Sequence, residues 1–299
     1  MKKVIFILGP TAVGKTYFSV KLAKKIDGEI ISADSVQIYK GLDIGSAKVT
    51  PEEMQGVKHY AIDILEPEEE FSVYDFVEYT KKKIDEIIAK NKTPIVVGGT
   101  ALYVKALTLG YNFGGASYDK DLRLKLEKML SEKGNEALFE MLKEKSPELA
   151  SQIDWHNGVR LVRALEIAMA GGEKKQSKVD IDSLVIALTR DRELLYKDIN
   201  KRVDIMLENG LVDEVKSLMD RGLTLENQCM KAIDYKEVFS YLMGEYDYDK
   251  MVELLKQHSR NYAKRQMTFL RGMENINFVQ VEDREKAFSE IVKLVDDWK

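Results

Sequence analysis

One spacing of residues in this chain defines a chemistry by itself. Gly9-Pro10-Thr11-Ala12-Val13-Gly14-Lys15-Thr16 satisfies the pattern G-x-x-x-x-G-K-[ST]. Its glycines let the backbone turn so tightly that successive N–H groups face one anion. Lys15 brings a positive charge to the phosphoryl oxygens, and the Thr16 hydroxyl is placed to ligate Mg²⁺. A helix starting here adds the positive end of its dipole. The pattern binds a diphosphate or a triphosphate and does not choose between them. A kinase also needs an acid at the end of a later apolar strand to hold Mg²⁺. Here the apolar run 94–97 ends in Gly98-Gly99-Thr100, and the nearest acid is Asp34, after the run 30–33. On residue type alone, Asp34 reads either as a turn cap after a strand or as a proton acceptor. Thr100 reads as an N-cap.

The elements that must position these residues alternate in the first third of the chain. Residues 4–8 are wholly apolar and β-branched-rich, as a strand buried on both faces reads. Strands are also expected at 29–33, 94–97 and 184–188, and amphipathic helices at 15–26 and 71–90. Strand–helix–strand alternation implies a parallel sheet covered by helices. Residues 118–171 read as helix, with one stripe at Leu122, Leu126, Met129 and Leu130 and another at Ala137, Leu138, Met141 and Leu142. Polar, Gly-containing stretches flank this block, with Gly114-Gly115 and Gly171-Gly172 as hinge candidates. The expected fold class is therefore α/β: a P-loop NTPase-like parallel sheet core flanked by helices, with a mainly α-helical insertion domain. The core is assigned to 1–112 and 182–299 and the insertion to 113–181, with residues 193–298 mostly helical.

The bulk numbers exclude little but point one way. With 299 residues, 44% of them hydrophobic and 32% charged, the chain is long enough for one large domain or two modest ones. A net charge of −4 carries no global sign of nucleic-acid binding, so any such function rests on local clusters. Cys229 is the only cysteine, which excludes an internal disulfide and a thiolate metal site. The histidines His59, His156 and His258 lack metal-ligand spacing. The apolar start stops at Gly9-Pro10, too soon for a secretory segment, and no stretch is long enough to span a membrane. A cytoplasmic location is expected.

Six segments, in order, resemble the tRNA dimethylallyltransferase (tRNA isopentenyltransferase) family: residues 9–16, 30–48, 97–104, 157–166, 202–215 and 262–271. The phosphate loop alone is generic, whereas the combination is specific and covers the chain nearly end to end. The resemblance implies transfer of a dimethylallyl group from dimethylallyl diphosphate to the N6 amine of the adenosine 3′ of the anticodon in tRNA. In that reading residues 9–16 hold the diphosphate with Mg²⁺, Asp34 is the base, and Lys15 and Thr100 serve the reacting groups. Contacts to the tRNA anticodon stem-loop are implied at Asp34, Ser35, Val36, Gln37, Thr100, Arg123, Gly158, Val159, Arg160, Leu161 and Val162. RNA is expected to bridge core and insertion, and the protein to act as a monomer. The chain departs from the family pattern at Gly158, usually Gln; at Asp234, usually Gly; and at Phe269, usually Trp. These departures bear on RNA recognition and on the backbone approach at residue 234, and leave the chemistry untouched.

A local basic run supports an RNA partner. Lys256, Arg260, Lys264, Arg265 and Arg271 stand together without an acid, with Tyr262 and Phe269 among them. The same run also reads as a solvated helix face. The stripe Val159, Val162, Leu165 and Ile167 reads as core. Two rival functions stay open on residue types: an enzyme of free adenine nucleotides (prenyltransferase or kinase), and a nucleotide-gated RNA-binding module. The first has no need of a helical insertion or a basic helix, and the second leaves Asp34 and Thr100 without work.

Overall fold

The structure, a computed structural model, describes residues 1–109, 119–170 and 180–298. Gly114-Gly115 and Gly171-Gly172 lie outside them. By internal contacts the chain divides into two compact units, one of Met1–Thr108 with Asp180–Lys299 and one of Leu109–Val179.

The first unit is built on six parallel strands: β1 (Lys2–Leu8), β2 (Gly28–Ser32), β3 (His59–Tyr60), β4 (Thr93–Gly98), β5 (Ile181–Thr189) and β6 (Ile276–Gln280). Their order is β3-β2-β4-β1-β5-β6, with Ile5 opposite both Ile95 and Leu184. β1 is thus central, and Val4–Leu8 are buried because both faces of the sheet are covered. On one face Ile5, Ile7, Ile30, Ile95 and Ile186 meet α1 (Lys15–Ile26), α8 (Arg192–Glu208), α11 (Tyr248–Arg271) and α12 (Arg284–Trp298) through Phe18, Leu22, Leu195, Ile199, Ala263 and Ile291. Alternate residues turn the other way by the two-residue pleat, and α3 (Val73–Ala89) packs against β2 and β4. α3 starts at a capping box in which Ser72 accepts from the Asp75 N–H and Asp75 accepts from that of Ser72. Short α2 (Pro51–Met54) and α4 (Ala101–Leu109), with α9 (Leu211–Asp220) and α10 (Tyr235–Leu242), complete the helices of this unit.

The expected strands and helices are present. Two strands were not expected. β3 has only two residues, and β6 lies at a sheet edge with Phe278 exposed and Val279 buried, so neither shows a buried apolar run.

The second unit is helical: α5 (Lys120–Lys145), kinked at Gly134, then α6 (Pro147–Gln152) and α7 (Gly158–Met169). Leu126, Leu138 and Leu142 pack against Leu161, Val162 and Leu165. Val159 departs from its expected place in the core stripe: it is 79% exposed, because it falls in the first turn of α7 on the face away from Leu161 and Leu165. A Cβ on Gly158 would come 2.6 Å from Leu130, so glycine lets α5 approach the start of α7. Buried Glu166 ties the two helices through Arg123 (2.6 and 3.0 Å) and Arg163 (2.8 Å). Both arginines hold its carboxyl below the usual carboxylate range, although burial alone would raise it. Glu166→Ala removes the buried carboxylate that both arginines share. With each about a third exposed, it should cost about 2 kcal/mol in urea unfolding, discounted from a fully buried pair.

Candidate active site

In a parallel sheet every strand ends at the same edge, so the turns after β1, β2 and β4 converge where open α/β sheets bind ligands. The turn after β1 is the phosphate loop. Gly14 stands at φ +95°, a left-handed conformation that glycine adopts without strain, and α1 begins at Lys15. Lys15 donates from Nζ to the Gly9 and Pro10 carbonyls (3.1 and 2.8 Å), so the loop folds around its own cation. Burial, then the neighbouring charge of Arg202, lowers the Lys15 amine to about 8, while Asp34 opposes the shift.

The ends of β2 and β4 are locked together. The Ala33 N–H donates to the Val97 carbonyl at 2.7 Å and the Thr100 N–H to the Ala33 carbonyl at 3.3 Å. A Cβ on Gly98 would lie 2.2 Å from that Ala33 oxygen, so only glycine allows the approach. Asp34 therefore emerges beside Thr100. Asp34 Oδ1 accepts from the Val36 and Gln37 N–H groups (2.9 and 3.3 Å), an Asx turn that sets the carboxyl and leaves Oδ2 for another partner. The turn-cap and proton-acceptor readings are thus compatible, one on each oxygen. Thr100 Oγ1 is buried with no partner in ideal hydrogen-bond geometry among the described residues, and the Tyr262 hydroxyl lies within its reach.

Gln37 is fixed by Ser32, which donates to its Oε1 at 3.1 Å, and by the Ser46 and Ala47 carbonyls, which its Nε2 reaches. The loop that follows is anchored from α9 and α10. Glu214 accepts the N–H groups of Asp43, Ile44 and Gly45, and the Tyr235 hydroxyl donates to Glu214 while accepting from the Ser46 N–H. Lys15, Thr16, Ser32, Asp34, Gln37 and Gly98 line a single pocket, and His59 joins them there. Residues 9–16, Asp34, Ser35, Val36, Gln37 and Thr100 are brought to this edge. Arg123, Gly158, Val159, Arg160, Leu161 and Val162 belong to the helical unit. Of these, Val159 and Arg160 are exposed, whereas the Leu161 and Val162 side chains are buried in its core.

Three further residues of the site lie in the segments 202–215 and 262–271, where the sequence reading gives none of them a role at the phosphate loop. Gln266, 5% exposed on α11, accepts from the Thr11 N–H and donates to the Gly99 carbonyl (both 3.0 Å), bridging the phosphate loop to the turn after β4. A Cβ on Gly99 would strike its Nε2 at 2.2 Å. Arg202 on α8 is half-buried and makes no hydrogen bond or ion pair among the described residues; Asp34 and Asp234 offset the lowering of its pKa by burial. Tyr262, one turn before Gln266, is pushed up to about 12 by burial and by Asp34, so this aromatic turns inward to the site. Only folding brings these residues to the loop.

The basic run of α11 divides into two groups. Lys256 pairs with Asp204 at 2.6 Å and Arg260 donates to Asn200 at 2.6 Å, so both serve packing against α8. Lys264 and Arg271 instead line a cavity of about 520 Å³ with Arg190 and Arg192. Among the described residues no group of three or more His, Cys, Asp or Glu could hold a metal, and no helix is long and apolar enough to cross a membrane.

A phosphate loop after the central strand, with a set carboxylate beside it, marks a phosphate-loop-like α/β fold. Known proteins narrow the class. The model of the family described as IPP transferase matches residues 37–273. A tRNA dimethylallyltransferase of Acetivibrio thermocellus is 46% identical, over 95% of this chain and 93% of its own. One from Clostridioides difficile is 44% identical over 99% of both. Among solved structures, the full-length tRNA isopentenylpyrophosphate transferase of Bacillus halodurans superimposes with a TM-score of 0.78 at 42% identity, covering 100% of this chain and 97% of that one. A eukaryotic dimethylallyltransferase captured acting on tRNA gives 0.83 at 27%, covering 99% and 80%. The chain belongs to the IPP transferase family.

Proposed function

We propose that this chain transfers a dimethylallyl group from dimethylallyl diphosphate to the N6 amine of the adenosine 3′ of the tRNA anticodon, releasing diphosphate. The observation that carries this reading is the Asp34 carboxyl beside the phosphate loop, one oxygen fixed by two N–H groups and the other left for a substrate. A bond forms from N6 to the allylic carbon, the carbon–oxygen bond to diphosphate breaks, and its electron pair leaves with the diphosphate. The proton from N6 passes to Asp34, whose help matters because an aryl amine is a poor nucleophile. Lys15 and Arg202 stabilise the charge that grows on the leaving group, and Thr100 Oγ1 bonds between the reacting partners.

The residues present fit a Mg²⁺ carried on the phosphates rather than a protein cage. Thr16 would supply one hydroxyl, with the remaining oxygens coming from the substrate's phosphates and water. When bound, Mg²⁺ neutralises part of the diphosphate charge. For the RNA, exposed Val159 and Arg160 at the start of α7 and the α11 face of Lys264 and Arg271 offer contacts to bases and phosphates.

The test is transfer of radiolabelled dimethylallyl groups, with Mg²⁺, to unmodified tRNA and to AMP in parallel. Label in tRNA alone is expected; label in AMP alone would make this a free-nucleotide enzyme. Lys15→Ala should weaken diphosphate binding by about 100-fold, measured by calorimetry, since it removes a partly desolvated cation from the anion. Unchanged binding would take the loop out of the mechanism.

A further inference from the structure

The buried stripe of α11 runs through Met251, Leu255, Ala263 and Leu270, and Gln266 stands in it where an apolar side chain would bury at lower cost. Its amide is satisfied at both ends. Oε1 accepts from the Thr11 N–H and Nε2 donates to the Gly99 carbonyl, each at 3.0 Å. An N–H cannot accept and a carbonyl cannot donate, so these two partners fix which end of the amide is which.

Both partners are shaped to the bridge. Gly99 is not among the glycines at positive φ, so its backbone suits any residue. A Cβ there would lie 2.2 Å from Gln266 Nε2 and 3.3 Å from its Cδ, while the next atom, the Gly9 carbonyl oxygen, is at an ordinary 3.5 Å. The side chain that residue 99 lacks is therefore excluded by the Gln266 amide and not by the backbone. On the other side, Ala12 follows Thr11 at φ +63°, a left-handed turn that is unfavourable for an L residue and persists only where its surroundings hold it. Gln266 supplies that hold by pinning the Thr11 N–H. The end of β4 has a second anchor, since Ala33 ties it through Val97 and Thr100. Breaking the bridge thus releases the phosphate loop and leaves the strand end in place.

We propose that Gln266 is a positioning residue that sets the phosphate loop in its anion-binding shape before diphosphate arrives, and that residue 99 is glycine in order to admit its amide, so that the two act as one unit. A loop already ordered loses little entropy when the anion binds, and its N–H groups need no rearrangement to face it. The inference rests on the diphosphate reading of the pocket.

The test is calorimetric binding of inorganic pyrophosphate with Mg²⁺ to the full chain and to Gln266→Met, Gln266→Ala, Gly99→Ala and the double variant Gln266→Ala/Gly99→Ala. Methionine keeps the volume of glutamine without either hydrogen bond, so the packing of α11 is preserved. Both Gln266 variants should bind pyrophosphate about ten-fold more weakly. For Gln266→Met the KM for dimethylallyl diphosphate should rise in proportion, with the saturated rate of transfer and tRNA affinity held within about three-fold. Gly99→Ala should show the same loss of pyrophosphate binding, because its methyl expels the amide. The double variant should stay within about two-fold of Gln266→Ala, since alanine at 266 vacates the space the methyl needs; independent residues would multiply to about 100-fold. Parent-like or tighter binding by Gln266→Met, or multiplied losses in the double variant, would overturn the inference. So would a fall in its saturated rate or tRNA affinity equal to the fall in pyrophosphate binding, which would make Gln266 a packing residue only. A parent that binds no pyrophosphate would overturn the diphosphate reading and the inference with it.

Discussion

Asp34→Asn should slow dimethylallyl transfer by about 10²- to 10⁴-fold, the usual worth of a positioned base, while tRNA affinity changes by less than about three-fold. Asparagine is the informative replacement. Its Oδ1 still accepts the Val36 and Gln37 N–H groups, so the turn that presents residues 35–37 survives, and only the capacity to take a proton is lost. Asp34→Ala should lose the same rate and some affinity as well, because two loop N–H groups are then left without their acceptor. Single-turnover rates and filter binding separate the two. A variant with equal losses in rate and affinity, asparagine included, would show Asp34 to be a scaffold and not a base.

Gly98→Ala should be the most damaging single methyl in the core unit. The added carbon would sit 2.2 Å from the Ala33 carbonyl oxygen, a backbone atom that cannot swing aside as a side chain can. Relief requires the ends of β2 and β4 to part, which breaks the bonds from Ala33 to Val97 and from Thr100 to Ala33. The expected cost is about 3 kcal/mol, with transfer abolished because Asp34 and Thr100 no longer share a wall. Gly56→Ala is the control: it meets nothing within 4 Å but holds φ +80°, so strain alone should cost about 1 kcal/mol. Urea unfolding with transfer assays on both decides the matter. A stable, active Gly98→Ala protein would mean that the two strand ends are not held in this contact.

What local sequence reveals here is what local physics determines. The phosphate loop, the buried runs of β1, β2, β4 and β5, and the start of α1 at Lys15 all follow from glycines, β-branched runs and helix spacing within about ten residues. β6 was hidden because an edge strand buries one side, leaving Val279 flanked by exposed Phe278 and Gln280. Two of the five basic residues of the run are likewise committed elsewhere. Lys256 and Arg260 find acceptors on α8 that no pattern along α11 discloses. Gln266 and Arg202 had no role assigned at the loop because each reaches it only through tertiary packing. The resemblance assigns Asp34 and Thr100 to the chemistry; the lock between Ala33, Gly98 and Thr100 brings the ends of β2 and β4 together at one edge of the sheet.

The bridge made by Gln266 has a consequence for how the protein is made. It joins Thr11 to a residue 255 positions later, and β1 takes its second neighbour only from residues 181–187. During synthesis the phosphate loop emerges well before the residues that support it. A nascent chain cannot complete this loop's support before Gln266 has been added, and until β5 arrives it offers one side of its central strand unpaired, the kind of surface that chaperones shield. Substrate capture is thereby deferred until both the helical unit and the basic face of α11 have been synthesised.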